Sequence, residues 1–402
     1  MIDVLIAGGG YVGLSLAVSI KKAAPHLDVR VVDGAPEGAW QRDGRASAIA
    51  PAAARMLDAL GLWQDIVRDA EPIRRMVITD SRTADPVRPV FLTFETTEEP
   101  GGAIAHMVPN PVLVGALRRS CAALDLPLSA STPVSGFSVE PHGVTVATGG
   151  TTQRARLLVA CDGVRSALRS AAGIRTVDID YGQSGIVCTV EHERPHEGVA
   201  NEHFLPAGPF ATLPLPGNRS SLVWTERTAD AERLVAADDL VFEEELERRF
   251  GHVFGTLRVT GGRRAFPLGL TLARDFVRPR LALAGDAAHG IHPISGQGLN
   301  LGFKDAAALA ETIVDAERLG LDIGALDVLE RYQQWRRFDT VRMGVTTDVL
   351  NRLFSNDVTP IRVLRDVGLG LVDRMPSLKA MFMRQAAGVA GGGPKLLAGQ
   401  PI

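Results

Sequence analysis

The apolar run Val4-Leu5-Ile6-Ala7 leads directly into Gly8-Gly9-Gly10-Tyr11-Val12-Gly13, and the next apolar run, Val29 to Val32, ends in Asp33. A strand, a G-x-G-x-x-G turn, a helix, a strand and an acid in this order define one βαβ unit that holds a dinucleotide. Each glycine has its own reason. Gly8 permits the tight turn out of the strand, Gly10 lets a pyrophosphate approach the backbone, and Gly13 lets the helix sit close to the sheet. The free N–H groups and the dipole at the helix start favour phosphate charge. Asp33, about twenty residues past the turn, is placed to accept hydrogen bonds from a ribose.

Two further apolar runs end in similar signals. Leu157-Leu158-Val159-Ala160-Cys161 delivers Asp162-Gly163, and Leu281-Ala282-Leu283-Ala284 delivers Gly285-Asp286. Such short continuous runs read as buried parallel strands, and open α/β sheets bind ligands outside the carboxyl ends of their strands. If these ends share one edge with the glycine turn, they surround a single extended cofactor. The third loop continues through His289, His292, Pro293 and Ser295 to Gly298-Leu299-Asn300. A strand, a Gly/Pro-rich loop and a helix start aim backbone N–H groups at one point, a nest suited to an anionic ring edge.

The fold class read from this pattern is α/β: a Rossmann-like dinucleotide-binding domain, an inserted antiparallel β-sheet substrate domain and a helical C-terminal region. The dinucleotide-binding domain is discontinuous, with parts at 1–75, 101–179 and 271–340. Substrate-domain strands are expected at 76–100 and across 180–270, and the helical region at 341–402. Within the insert, short strands are expected at Gly185 to Glu191, Glu202 to Leu205, Ala211 to Leu215 and Ser220 to Thr225, followed by one charged helix from Ala229 to Phe250.

Bulk properties narrow the class. A net charge of −3 over 402 residues gives no electrostatic case for nucleic-acid binding. Cys121, Cys161 and Cys188 are far apart, so neither a disulfide framework nor a metal site is expected. The first strand starts at once, which leaves no room for a signal peptide, and no apolar run is long enough to span a bilayer. A cytoplasmic location is the expectation.

With Asp162-Gly163-Val164-Arg165-Ser166-Ala167-Leu168-Arg169 and Gly285-Asp286-Ala287-Ala288-His289 through Pro293 to Gly296-Gln297-Gly298-Leu299-Asn300 following the glycine turn, the chain resembles the single-component FAD-dependent aromatic hydroxylases over nearly its whole length. Arg45-Ala46-Ser47-Ala48-Ile49, Gly61-Leu62-Trp63, the stretch His292 to Gly302, Leu350 to Asp357 and the ending Pro394 to Ile402 are similar to the ubiquinone-biosynthesis hydroxylase branch. The resemblance implies FAD, with Gly8, Gly10 and Gly13 on its pyrophosphate, Asp33 on the adenosine ribose and Arg45 beside ribose and phosphates. It also implies that Asp162 and Gly163 support the cofactor site, that Gly285 and Asp286 meet the ribityl chain or a phosphate, and that Gly298, Leu299 and Asn300 present backbone to the flavin pyrimidine. Pro293 would border the space where oxygen reacts; His292, which flanks the same loop, is a second catalytic candidate and equally a residue that only hydrogen-bonds backbone.

The activity implied is hydroxylation of the aromatic ring of a polyprenyl-phenol through a flavin hydroperoxide, with molecular oxygen as co-substrate. Such chemistry needs a dry chamber. Phe204, Phe210, Leu213, Leu215 and Trp224 are candidates for its roof, or for ordinary sheet core. A base would help a phenol react; His106, His203, His289 and His292 are the histidines to inspect, with no partner visible in sequence. NAD(P)H and a protein electron donor both stay open as reductant, and Arg165 and Arg169 are placed to assist either or to pair locally. A prenylated substrate also brings in contact with the inner membrane surface. Apolar and basic residues between Leu350 and Arg384 fit an interfacial helix pair, and equally a packed or oligomeric interface. A ubiquinone-biosynthesis complex, hydroxylation of a small soluble aromatic compound, and a non-catalytic scaffold or prenyl-lipid carrier complete the alternatives.

Overall fold

In the computed structural model, which describes residues 1–81, 89–95, 102–251, 253–291, 297–355 and 393–402, the first strand, Ile2–Ala7, lies inside a mostly parallel sheet. Val29–Val32 pairs with it on one side and Thr151–Ala160 on the other, and Leu281–Leu283 pairs beyond the latter, all in parallel. Helices cover these strands, so Val4, Leu5, Ile6, Leu157, Leu158, Val159 and Leu281 are fully buried, which explains the unbroken apolar runs. The helices Tyr11–Ala23 and Gly298–Arg318 pack on each other. They meet at Gly302, where an added Cβ would lie 2.5 Å from Val12 Cγ2.

The register is what builds a site. Ala7 lies opposite Ala160, and Ala160 opposite Leu283, so the carboxyl ends of three strands finish level. The Cys161 N–H donates to the Ala7 carbonyl at 2.7 Å, and the Ala284 N–H to the Ala160 carbonyl at 2.9 Å.

A second, eight-stranded sheet contains Thr176–His192, Val199–Leu205, Gly208–Leu215, Arg219–Arg227 and Leu257–Ala273, with Arg75–Asp80, Val90–Glu95 and the short His289–Gly290. It is antiparallel except where Val199–Leu205 runs parallel to Arg75–Asp80. Leu257–Ala273 escapes the sequence reading because Gly261-Gly262 and Arg263-Arg264 break its apolar alternation. The single helix expected from Ala229 to Phe250 is two, Thr228–Ala236 and Asp239–Phe250. Asp238 caps the second by accepting the Val241 N–H at 2.9 Å.

The two faces of this sheet differ. On the outer face Ile186, Leu222, Phe210 and Trp224 are buried against the paired helices, with Trp224 and Phe242 rings 5.5 Å apart. The inner face follows the register Val187, Val223, Ala211, Glu202, Ile78 across adjacent strands, and every one of these residues is only half-buried. Part of that face, at Ala200, Met76, Leu213 and Leu215, packs on a small three-stranded sheet of Ala46–Ile49, Glu71–Ile73 and Ala105–Pro109. The roof candidates therefore divide. Phe210 and Trp224 belong to the sheet core beneath the helices, while Leu213 and Leu215 lie on the inner face and Phe204 shares the face of Glu202 by alternation.

After Gly298–Arg318 a second long helix spans Leu326–Phe354. Most of the expected interfacial pair, from Ile361 to Arg384, lies outside the described residues. Among the described residues no helix is long and apolar enough to cross a membrane.

Candidate cofactor and substrate site

At the glycine turn, steric demand separates the three positions. An added Cβ at Gly8 would lie 2.1 Å from the Cys161 carbonyl oxygen, and one at Gly13 would lie 2.0 Å from the Gly8 carbonyl oxygen. Both sites are closed by the protein's own backbone. A Cβ at Gly10 would meet nothing within 4 Å, so this residue borders open space. Gly10 is also the N-cap of Tyr11–Ala23, and no side chain caps that helix. Its first N–H groups are left for an anion.

A cleft of about 280 Å³ opens here, bordered by Gly9, Gly10, Asp33, Trp40 and Arg45. Asp33 Oδ1 accepts the Ala35 N–H at 3.1 Å, and its Oδ2 faces Gly9. Trp40 Nε1 is buried with no partner among the described residues. Arg45 forms two 2.8 Å hydrogen bonds to Asp43, which also accepts from Asn110 Nδ2 at 2.9 Å. Burial opposes the charge of Asp43, but Arg45 and Asn110 outweigh it and hold the carboxyl below its usual range. The Arg45 guanidinium stands 5.4 Å from the Phe266 ring centre, which joins this cleft to the second sheet.

Asp162 Oδ2 accepts the Leu168 N–H at 3.2 Å, while Oδ1 is buried with no partner among the described residues. A buried, unsatisfied carboxylate oxygen calls for a donor, and a ribityl or ribose hydroxyl would be a fitting one. Neighbouring Arg169 is buried and donates to the carbonyls of Ala287 at 2.9 Å and Val164 at 2.8 Å. It clasps the Asp162 and Asp286 loops together, a bridging task absent from the sequence reading. Arg165 is exposed.

The Asp286 loop rests on a charged network that sequence reasoning missed. Asp305 Oδ2 accepts the Gly285 N–H at 2.9 Å and bonds His289 Nε2. Its Oδ1 accepts from Arg336 Nε at 2.7 Å. Arg336 and Lys304 also reach Asp339, at 3.0 and 3.2 Å. Burial opposes ionisation of Asp339, yet Lys304 and Arg336 bring it down to about 2. Asp305 is likewise held low by His289 and Arg336 against its own burial. Asp286 goes the other way: burial raises it, His289 and Arg45 pull it down, and Asp305 pushes it up. Burial and Asp286 raise the Tyr11 phenol. Gly8, Asp162 and Asp286 are thus brought to one sheet edge, with Arg45 close enough from the three-stranded sheet to act on Asp286. A charged residue at 305 within the Ala-rich apolar stretch of a helix was the available signal for the network.

Asn300 binds through both ends of its amide. Oδ1 accepts the Ala50 N–H and Nδ2 donates to the Ala48 carbonyl, each at 2.9 Å. This fixes the start of Gly298–Arg318 beside the strand Ala46–Ile49 and occupies the side chain, leaving backbone for a ligand. Leu299 is buried and Gly298 borders Ile291. His292 and Pro293 lie outside the described residues. Of the other histidines, His203 is fixed on the outer sheet face by Thr79 Oγ1 at 2.6 Å and Ser81 Oγ at 3.0 Å. His106 stands edge-on to Trp63 at 5.1 Å, its pKa lowered by burial and by Arg74. His289 is taken up by Asp305.

Fold, convergent strand ends and sequence agree on a class: the chain belongs to the FAD binding domain family, which it matches over residues 1–337. It is an FAD-dependent monooxygenase that uses molecular oxygen. It is 46% identical to the ubiquinone hydroxylase UbiL of Rhodospirillum rubrum, over 100% of this chain and 93% of that protein. With the 3-demethoxyubiquinol 3-hydroxylase of Escherichia coli it shares 33% identity, over 96% of this chain and 98% of that one. The fold is that of p-nitrophenol 4-monooxygenase PnpA from Pseudomonas putida, with a TM-score of 0.80 at 20% identity, covering 96% and 97% of the two chains. The open space at Gly10 and the orphaned Asp162 Oδ1 fit FAD.

Proposed function

We propose that this enzyme hydroxylates the aromatic ring of a polyprenyl-phenol intermediate of ubiquinone synthesis. The observation that carries the reading is a half-open apolar sheet face next to three convergent cofactor loops, in a chain 46% identical over its full length to a ubiquinone hydroxylase. The apolar side chains Val187, Val223, Ala211, Leu213 and Ile78 suit a ring bearing an isoprenoid tail and keep water from the reacting atoms.

Bound FAD supplies the activated oxygen. The protein positions it: Gly10 and the first turn of Tyr11–Ala23 take the pyrophosphate, Asp33 a ribose and Arg45 the adjoining phosphates. Asp162 and Asp286 hold the middle of the cofactor, and the backbone from Gly298 to Asn300 meets the pyrimidine edge. NAD(P)H serves as reductant, and the protein collects its substrate at the inner membrane surface as a peripheral visitor.

Deleting the gene and identifying accumulated quinone precursors by mass spectrometry tests the assignment. A precursor one hydroxyl group short, restored to quinone by the intact gene, is the expected result. Unchanged quinone levels in a strain without a paralogue sink it.

A further inference from the structure

One titratable side chain lines the inner sheet face without belonging to the cofactor loops. Glu202 sits in the middle of Val199–Leu205, opposite Ala211 on one side and Ile78 on the other. Its cross-strand neighbours Ala211 and Ile78 are apolar and half-buried, Ala200 and Phe204 along its own strand are buried, and among the described residues no donor reaches its carboxylate. The group keeps accessible surface, yet burial alone pushes its pKa up to about 8. An unpaired acid on a half-buried apolar sheet face has no structural purpose that the fold reveals, because an apolar residue there costs less to bury.

We infer that Glu202 is the group that takes the phenolic proton of the bound substrate. The inference rests on the aromatic-hydroxylation reading above. In this step the phenol O–H bond breaks, the proton passes to a Glu202 carboxylate oxygen, and the electron pair stays on the phenolic oxygen. Nothing is oxidised or reduced. The ring gains electron density for attack on the activated oxygen.

Position supports the role. The inner face packs through Met76, Ala200 and Leu213 on Ala46 and Ala48, and the Ala48 carbonyl holds Asn300 at the start of the flavin-facing helix. Glu202 therefore looks from the sheet toward the cofactor side. Among the described residues few charges compete for it. Asp80 lies one register step along, beside Phe204. Arg264 is four strands away across Ala211, Val223 and Val187, about 19 Å at ordinary strand spacing. The small sheet presents apolar Ala46, Ala48 and Met107, with Arg45 beyond it held by Asp43. The C-terminal helix presents Thr347 and Asn351, and its Asp348 is engaged by Tyr181 and Arg352. His203 points to the opposite face.

The basicity is matched to the task. A phenol ionises near 10 and an ordinary glutamate near 4.3, a gap of almost six units. At about 8 the carboxylate narrows the gap to about two, which brings transfer within reach of general-base catalysis. The sign follows: below this pH the free enzyme holds Glu202 protonated and unable to accept, so kcat/KM rises as pH increases through about 8.

The test uses the FAD-loaded enzyme with 2-farnesylphenol, comparing wild type with Glu202→Gln. Hydroxylation is followed against pH, the ultraviolet difference spectrum reports ionisation of the bound phenol, and the visible flavin spectrum checks cofactor loading. Wild type is expected to show the rising limb near 8 and a phenolate band above it. In Glu202→Gln the band and the limb disappear, the rate near the limb falls about 10²- to 10³-fold, and it returns only toward the phenol's own ionisation near 10. A variant that keeps limb, band and rate within about threefold overturns the assignment while leaving the hydroxylase reading intact. Failure of wild type to hydroxylate the probe overturns both. Should the glutamine variant lose FAD, Glu202→Asp and the wild-type band decide: a phenolate band absent at every pH below 10 defeats the inference.

Discussion

On one side of the eight-stranded sheet, Trp224 is fully buried and Phe210 is 2% exposed, under two helices; on the other side their immediate chain neighbours, Val223 and Ala211, keep accessible surface. The same strands thus finish two different jobs. The outer face carries the large aromatic side chains and closes, with Trp224 flanked by Phe242, by Phe210 and by the Arg249 guanidinium 4.6 Å from its ring centre. The inner face packs in part on the three-stranded sheet, and its row Val187, Val223, Ala211 and Ile78 stays half-buried. Apolar surface left accessible forgoes roughly 25 cal/mol per Å² of stabilisation, and a contiguous patch of it marks a binding site. Stability is concentrated on one face, and the other is left free to take a ligand.

Trp224→Ala is the strongest challenge to this division. It removes a fully buried indole, its Nε1 hydrogen bond to Glu226 at 2.9 Å and the Arg249 stacking. A loss of about 3–5 kcal/mol is expected in denaturant unfolding, with the flavin spectrum of the surviving folded protein unchanged. A cost below about 1 kcal/mol shows that the outer face is not the structural one.

Ala211→Phe reverses the experiment by filling the inner face. The added ring occupies space beside Glu202 and Val223, and a displaced substrate loses on the order of 10²-fold in kcat/KM. The melting temperature is expected to stay within about 2 °C of wild type, less than the shift that 1 kcal/mol gives in a chain of a few hundred residues. A large drop in melting temperature with activity retained means that Ala211 is tightly packed core and that the chamber lies elsewhere.

This division explains what the sequence disclosed and what it withheld. The glycine turn and the runs ending at Asp162 and Asp286 were legible because each is local: a buried parallel strand writes itself as a continuous apolar run, and the site lies at its end. Their common edge needed only the register Ala7, Ala160, Leu283 to confirm it. The roof was not legible in the same way. Alternation separates Phe210 from Ala211 and Trp224 from Val223, but both sets are apolar, and only tertiary packing says which meets a helix. Phe210 and Trp224 were candidates for the roof and equally for sheet core, and the helices claim both for the core. Asp305 and Arg336 were hidden for another reason. Their charges neutralise each other inside the fold, across 31 residues of chain, and no local pattern announces a partner at that distance. Glu202 was visible as an acid within a strand, but a solvated edge position has the same signature.

The smallest effect gives the finest comparison. Val223→Ala deletes two methyl groups from the residue adjoining Trp224, on the half-open side. A buried valine contributes through the surface it removes from water and the neighbours it touches, and Val223 has only part of each. The expected destabilisation is below about 1 kcal/mol, against about 3–5 kcal/mol for its neighbour. The deletion enlarges the chamber, so a phenol with a longer or bulkier tail gains relative to a short one, by up to about tenfold for the equivalent of one or two methylene contacts. Measuring kcat/KM for a pair of prenylated phenols beside the unfolding free energy separates the outcomes. A stability loss matching that of a sealed core valine, with the preference between tails unmoved, places Val223 in packed interior and removes the inner wall on which the binding assignment depends.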